Sequence, residues 1–446
     1  MAGFSLAACA ALPDVSYLRT SLQAQETPTV TTGQGNLPAN RAESLLAQRL
    51  RHTTTDIKAL AALEEAATGT PLLAGNKVTL LFDGPQTMRA MMAAISNARD
   101  HINLETYIFD QDELGLKFAD LLIAKQRAGV QVNIIYDSVG TIGTPAEFFE
   151  RMRAAGIKLT EFNPVSPFKR FGGWRLNNRD HRKILVVDGK IGFTGGVNIA
   201  KDYARSSLFR SRGRANRELG WRDTHIQIEG PAVASLQWLF LDTWARQNAG
   251  DVLDRKYFPP LPAAGERVAR VIASSPGGDF EIFKAYALAM QQARKSIHIT
   301  VAYFAPDTQI VELLSAAARR GVDVKLVFPA ISDAGMVFHA GRSFYADLLN
   351  AGVKIYEFQE SVLHAKTAVI DSAWSTVGSA NLDVRSFLHN TEVNVVVIGE
   401  DFGVLMEKAF DEDLRHSVEI TRESWAQRPL MDRVKEGFAR MFEYWL

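Results

Sequence analysis

The residues most able to do chemistry occur as two copies of one pattern: His181, Lys183 and Asp188, then His364, Lys366 and Asp371. Each copy is His-x-Lys, four intervening residues, and Asp. Each continues to a small pair and an Asn at identical offsets, Gly195-Gly196-x-Asn198 and Gly378-Ser379-x-Asn381. Two imidazoles suit a displacement that needs both a nucleophile and a proton donor. A basic residue beside each ring and a nearby amide suit the oxygens of a phosphate ester. The stretches Lys183–Asp188 and Lys366–Asp371 read as strands, and a spacing of two points His and Lys toward one face. The Gly-Gly and Gly-Ser pairs would let backbone approach an anion at Gly196 and at Ser379, where only Ser379 adds a hydroxyl.

The elements that must position these groups are also duplicated. Asn97-Ala98-Arg99-Asp100 leads into the apolar run from His101 to Phe109, as Gln292-Ala293-Arg294-Lys295 leads into Ser296 to Phe304. Ala128-Gly129-Val130 matches Arg320-Gly321-Val322, and Ala155-Gly156-Ile157 matches Ala351-Gly352-Val353. Strands alternating with amphipathic helices predict an α/β fold, each half a sheet flanked by helices. The expected organisation is a tether and helical lead-in over 1–75, a first domain over 76–255, a second over 264–430 and an amphipathic helix over 431–446. A Pro-rich linker, Pro259 to Pro262, separates the halves.

Composition narrows the function classes. At 446 residues with 47% hydrophobic side chains, the chain can fill two cores. Its 50 basic and 50 acidic residues cancel, so there is no global field for nucleic acid. No run approaches the roughly 18 to 20 apolar residues of a membrane-spanning helix. The only cysteine, Cys9, excludes an intrachain disulfide and a Cys-rich metal site. Leu6-Ala7-Ala8-Cys9 is similar to the lipobox of bacterial lipoproteins, which makes Cys9 a candidate lipidation site. Only eight residues precede it and none is basic, so the signal peptide is incomplete.

The duplicated motif resembles the phospholipase D superfamily, and most nearly the bacterial cardiolipin synthases. Further segments carry the likeness: Asn178 to Lys183, Phe193-Thr194-Gly195-Gly196, Trp221 to His225, Tyr303 to Asp307 and Asn381 to Ser386. The resemblance implies two tandem repeats, each a mixed β-sheet flanked by helices, with the active site between them. It implies His181 as nucleophile, forming a phosphatidyl-histidine, and His364 as general acid and base. Lys183, Lys366, Asn198, Asn381 and Ser379 would hold the phosphate oxygens, with backbone donors at Gly196. Arg385 would meet the headgroup. No metal or other cofactor is expected.

The implied reaction joins two phosphatidylglycerol molecules and releases glycerol. A phospholipase D or transphosphatidylase with another donor or acceptor is the alternative, and a nuclease a weaker one. Each catalytic ring needs a partner on its other nitrogen. Aligning the strand after each motif sets Asp223 against Glu392, the candidate orienting carboxylates. Asp188 and Asp371 lie at the far strand ends and read as turn anchors, and Glu105 as an ordinary ion pair.

The halves differ where substrate selection would lie. Gly156 to His181 spans 25 residues but Gly352 to His364 only 12; Asn198 to Asp223 spans 25 but Asn381 to Glu392 only 11. The first insertion holds Phe168, Lys169, Arg170, Phe171 and Trp174; the second holds Arg205, Arg210, Arg212, Arg214 and Arg217. Such a mixture suits a rim on an anionic phospholipid membrane. The expected location is therefore membrane-associated, peripheral or lipoprotein-anchored. At the C-terminus, Met431, Val434, Phe438, Met441, Phe442 and Trp445 recur at helical spacing among Arg433, Lys435 and Arg440. That face is expected to pack on the core rather than lie in a membrane interface.

Overall fold

The computed structural model describes residues 11–16, 18–23, 26–165, 177–204, 220–247, 249–251 and 255–442. Across the first sheet the strands run Leu72–Leu81, His225–Glu229, Ile191–Gly195, Ile184–Val187, His101–Thr106, Gln131–Asp137 and Lys158–Phe162. The second half repeats that order. It runs Arg267–Ser274, Asn390–Ile398, Trp374–Gly378, Lys366–Ile370, Ser296–Val301, Asp323–Pro329 and Lys354–Phe358, with Ser417–Ile420 added at the edge. In each half the last three strands common to both are mutually parallel, and the remaining neighbours antiparallel. Parallel neighbours need long crossovers, and helices Glu113–Arg127 and Thr308–Arg319 supply the first of the two in each half. Both helices begin on a capping Asp, Asp112 and Asp307, whose side chains accept backbone N–H groups.

Strand alternation gives each sheet two faces. Leu185 and Val187 join the core of the first half with Phe118 and Leu122, whereas Ile184 and Val186 belong to a different cluster. That second cluster contains Ile226 and Ile228 of the first half together with Val369, Val377, Val393 and Val395 of the second. The halves therefore share an apolar core. The motif strands lie in it, and their His-Lys ends emerge at its margin.

The lead-in is more than a tether. Val15, Leu18, Val30, Ala42 and Leu46 are buried in the core of the second half. Helix Ile57–Thr68 buries Leu60 and Ala61 there, and its Glu64 bonds Arg270 and the Trp374 indole at 2.7 Å each. Its apolar residues are spaced to meet one surface. The strand Leu72–Leu81 then serves both halves. Leu73, Ala74 and Asn76 pair with Ala269, Val268 and Arg267, while Lys77 to Leu81 pair with Glu229 to His225. An expected boundary at 75/76 thus falls inside one continuous strand.

The C-terminal helix reverses its expected orientation. In helix Leu430–Arg440 it is Glu436 and Ala439 that are buried, while Leu430, Met431, Val434, Phe438 and Met441 are 56–78% exposed. The physical reason is an ionic and small-residue contact. Glu436 bonds Arg428 at 3.0 Å and lies 3.6 Å from Arg342, and Ala439 clusters with Ala340 and Ala305. Among the described residues no helix is long and apolar enough to cross a membrane. Cys9, Phe168, Lys169, Arg170, Phe171, Trp174, Arg205, Arg210, Arg212, Arg214, Arg217 and Trp445 lie outside the described residues.

Candidate active site

The two motif strands meet through short cross-connections. Arg179 and Asp180 run parallel to Asn390 and Thr391, and the His181 N–H donates to the Thr391 carbonyl at 3.0 Å. On the other side Arg222 bridges to Leu363, and the His364 N–H donates to the Arg222 carbonyl at 2.7 Å. Each histidine is therefore stitched to the residue just before the carboxylate of the opposite half. His181 Nδ1 lies 3.1 Å from both Glu392 oxygens, and His364 Nδ1 lies 2.7 Å from Asp223 Oδ2. The pairing is crossed: the first histidine uses the second half's carboxylate, and the second uses the first's. A proton on Nδ1 directed at a carboxylate leaves Nε2 of each ring as the reactive nitrogen.

Both histidines line one cavity of about 260 Å³, with Asn198, Asn381 and Arg385 in its wall. Lys183 and Lys366 lie directly behind the rings, their ammonium groups donating to the His181 and His364 carbonyls. Asn198 accepts from the Ile108 N–H at 3.2 Å and donates to the Tyr203 hydroxyl at 3.0 Å. Asn381 keeps a buried Oδ1 with no partner among the described residues, in the wall of the cavity. Arg385 donates to the Asn177 side chain at 2.8 Å and so ties the halves together at the mouth.

Two residues expected at the phosphate serve the carboxylates instead. The Ser379 hydroxyl donates to Glu392 Oε2 at 2.5 Å and accepts from the Val393 N–H, which uses up its only proton. At the equivalent position, a Cβ on Gly196 would stand 2.0 Å from Asp223 Oδ1. The glycine is there to clear room for the carboxylate, which in this half comes without a hydroxyl partner at that position. Asp188 and Asp371 sit at φ of 53° and 51°, at the strand ends. Their carboxylates accept the backbone N–H groups of Arg99, Asp100 and His101, and of Arg294, Lys295 and Ser296. Their place is the turn, away from the cavity lining.

Burial governs the protonation states. It lowers His181 and, together with the ammonium groups of Lys366 and Lys183, sets His364 well below the usual histidine value. It brings Lys183 down to about 7 and Lys366 to about 8, against the opposing pull of Glu392 and Asp223. Burial raises Asp223 to about 6, with Lys366 restraining the rise. Burial alone would raise Glu392 too, but the His181 ring and Lys183 bring it below its usual value.

Several residues around the two rings lie outside the duplicated His-x-Lys pattern. Tyr107 lies edge-on to His181 with ring centroids 5.1 Å apart, and Tyr303 edge-on to His364 at 5.9 Å. Tyr203 places its hydroxyl 3.3 Å from His364 Nδ1, and Trp221 packs beside the same ring. Tyr303 also donates to Asp333 at 2.7 Å. Tyr107 and Tyr303 follow the repeated strands that precede each motif, and that repeat was the available signal. Asp333 lies far from either motif, and nothing in its neighbours marks it.

The halves also differ beneath the histidines. Arg182 reaches the Glu392 carbonyl at 3.2 Å and lies 4.0 Å from Glu105. Burial and that same Glu105 push the Asp180 carboxyl well up. Asp180, Arg182 and Glu105 correspond by the repeat to Leu363, Ala365 and Thr300. The first motif therefore rests on a buried polar cluster where the second rests on small and apolar side chains.

Comparison with known proteins agrees with this geometry. A family model described as cardiolipin synthase, PLD-like domain, matches residues 91–225 and 286–414, more than half of the chain. Cardiolipin synthase 1 of Bacillus cereus is 36% identical over 385 residues, covering 84% of this chain and 73% of that protein. The cardiolipin synthase of Geobacillus kaustophilus is 37% identical over 376 residues, covering 83% and 72%. The crystal structure of phosphatidylserine synthase from Haemophilus influenzae Rd KW20 shares the fold, with a TM-score of 0.62 at 14% identity over 86% of this chain and 99% of that one. With its duplicated motif, its repeated sheet and these relatives, the chain belongs to the cardiolipin synthase family of the phospholipase D superfamily and is a phosphatidyltransferase.

Proposed function

We propose that the protein condenses two phosphatidylglycerol molecules into cardiolipin and glycerol through a phosphatidyl-histidine. The observation that carries the reading is the crossed pair: two histidines in one cavity, each with Nδ1 on a buried carboxylate of the opposite half. In the first step His181 Nε2 attacks phosphorus. The bond from phosphorus to the glycerol headgroup oxygen breaks, and His364, protonated on Nε2 once the bound phosphodiester anion offsets the lysine charges beside it, gives that oxygen a proton. In the second step His364 takes the proton from a glycerol hydroxyl of another phosphatidylglycerol. The resulting alkoxide displaces His181 from phosphorus. Lys183, Lys366, Asn198 and Asn381 stabilise the non-bridging oxygens as negative charge builds. Water in place of the acceptor would yield phosphatidic acid.

The test is to incubate the protein with phosphatidylglycerol vesicles and identify the products by mass spectrometry. Cardiolipin with one glycerol per condensation is expected, absent in His181→Ala and His364→Ala. Phosphatidic acid alone would make the protein a hydrolase, and products only with another lipid or alcohol would make it a transphosphatidylase of different specificity.

A further inference from the structure

Leu430, Met431, Val434, Phe438 and Met441 stand 56–78% exposed along one helix. At about 100° per residue they fall within an arc of roughly 100°. Arg433 and Lys435 border this arc, and Arg440 lies beyond Arg433. Both acids of the helix, Asp432 and Glu436, fall on the opposite side, where Glu436 is engaged by Arg428 and Arg342. The outward surface is therefore apolar at its centre and only basic at its edges.

The position of this surface is informative. Helix Leu430–Arg440 packs on helix Gly335–Arg342 through Ala439 and Ala340, and Val337 borders that contact. Val337 also lines the catalytic cavity, beside Asp333 and Ala334. Ile331, before this helix, and Met336, within it, add two more exposed apolar side chains, at 59% and 41%. One short helix separates the exposed face from the site. The cavity, at about 260 Å³, is smaller than common pockets for drug-sized ligands. On the phospholipid reading proposed above, it takes a lipid headgroup and leaves the acyl chains outside, so the bilayer has to reach its mouth.

An exposed apolar stripe needs a cover. A second copy meeting it face to face would set Arg433, Lys435 and Arg440 against their own like charges. An anionic bilayer matches both parts: acyl chains for the stripe, and phosphates for its edges. We propose that helix Leu430–Arg440 is the membrane-docking element, lying in the interface of an anionic bilayer and holding the cavity mouth against it. The requirement that mouth and bilayer meet rests on the phospholipid substrate proposed above; the apolar face and its charges do not.

The experiment uses the full chain with vesicles containing phosphatidylglycerol, read by co-sedimentation. The double variant Val434→Glu/Phe438→Glu changes only exposed side chains, and Phe438→Leu serves as the conservative control. The double variant should lose vesicle binding by roughly tenfold or more, with Phe438→Leu close to the parent. Vesicles of neutral lipid should bind the parent weakly. Turnover of monomeric short-chain phosphatidylglycerol should be unchanged in the double variant. Undiminished vesicle binding by that variant would overturn the proposal, as would a change confined to its oligomeric state, which would assign the stripe to a second copy. A parent that binds vesicles through this helix yet converts phosphatidylglycerol in neither form would instead sink the substrate reading.

Discussion

A carboxylate that only orients a ring can be tested by keeping its shape and removing its charge. Glu392→Gln leaves His181 facing an amide, which can hold the wrong tautomer as readily as the right one. The kcat on phosphatidylglycerol should fall by roughly 10⁴-fold, with KM little changed, as for an orienting acid in another histidine site. Asp223→Asn should cost a similar factor through His364. The two variants should differ in rapid-quench labelling. Glu392→Gln slows formation of the labelled histidine, whereas Asp223→Asn slows both its formation and its breakdown. Equal labelling rates in Glu392→Gln and the parent would remove Glu392 from the positioning of the nucleophile. The same logic separates Gly196 from Ser379. One makes room for a carboxylate by having no Cβ, and the other bonds its carboxylate through a hydroxyl.

At the scale of elements, the motif strands are held by their far ends as well as by the histidines. Asp188 accepts three consecutive backbone N–H groups at the start of strand His101–Thr106, and Asp371 does the same at Ser296–Val301. Removing a charged acceptor strands donors that lost their water on folding. Asp188→Ala should cost about 3 kcal/mol in urea unfolding, with kcat per folded molecule close to the parent. A stable Asp188→Ala protein with kcat reduced a hundredfold would give this residue a part in the chemistry instead.

Over the whole molecule, duplication has been bound into one unit by parts outside either repeat. The lead-in lays helix Ile57–Thr68 on the second half, and the strand Leu72–Leu81 pairs with both sheets. Glu64 and Arg270 are fully buried and bonded, at the join between the lead-in and the second half's first strand. Glu64→Ala would leave Arg270 buried without its counter-ion, a loss of about 3–5 kcal/mol. Differential scanning calorimetry should show a clearly lowered transition. An unchanged melting profile would mean that the lead-in contributes nothing to the folded unit. Fixing the relative placement of the halves matters for function, because each histidine depends on a carboxylate carried by the other.

Which residues come together at the site was largely legible in the linear chain, because the repeated pattern depends on residue type and short spacing. His181, Lys183, His364 and Lys366 were recognisable from the repeated pattern, and Asp223 and Glu392 from its register. The α/β class followed from strands and helices alternating at matched offsets. What spacing could not carry is which partner a group meets across the fold. The crossed pairing of His181 with Glu392 and His364 with Asp223 arises where short segments join the two halves at the ends of their strands. The placement of Ser379 behind a carboxylate, the docking of the lead-in and the outward turn of Phe438 are likewise long-range choices. An amphipathic pattern states that a helix has two faces. Only the competing contacts of Glu436 and Ala439 decide which of them turns inward.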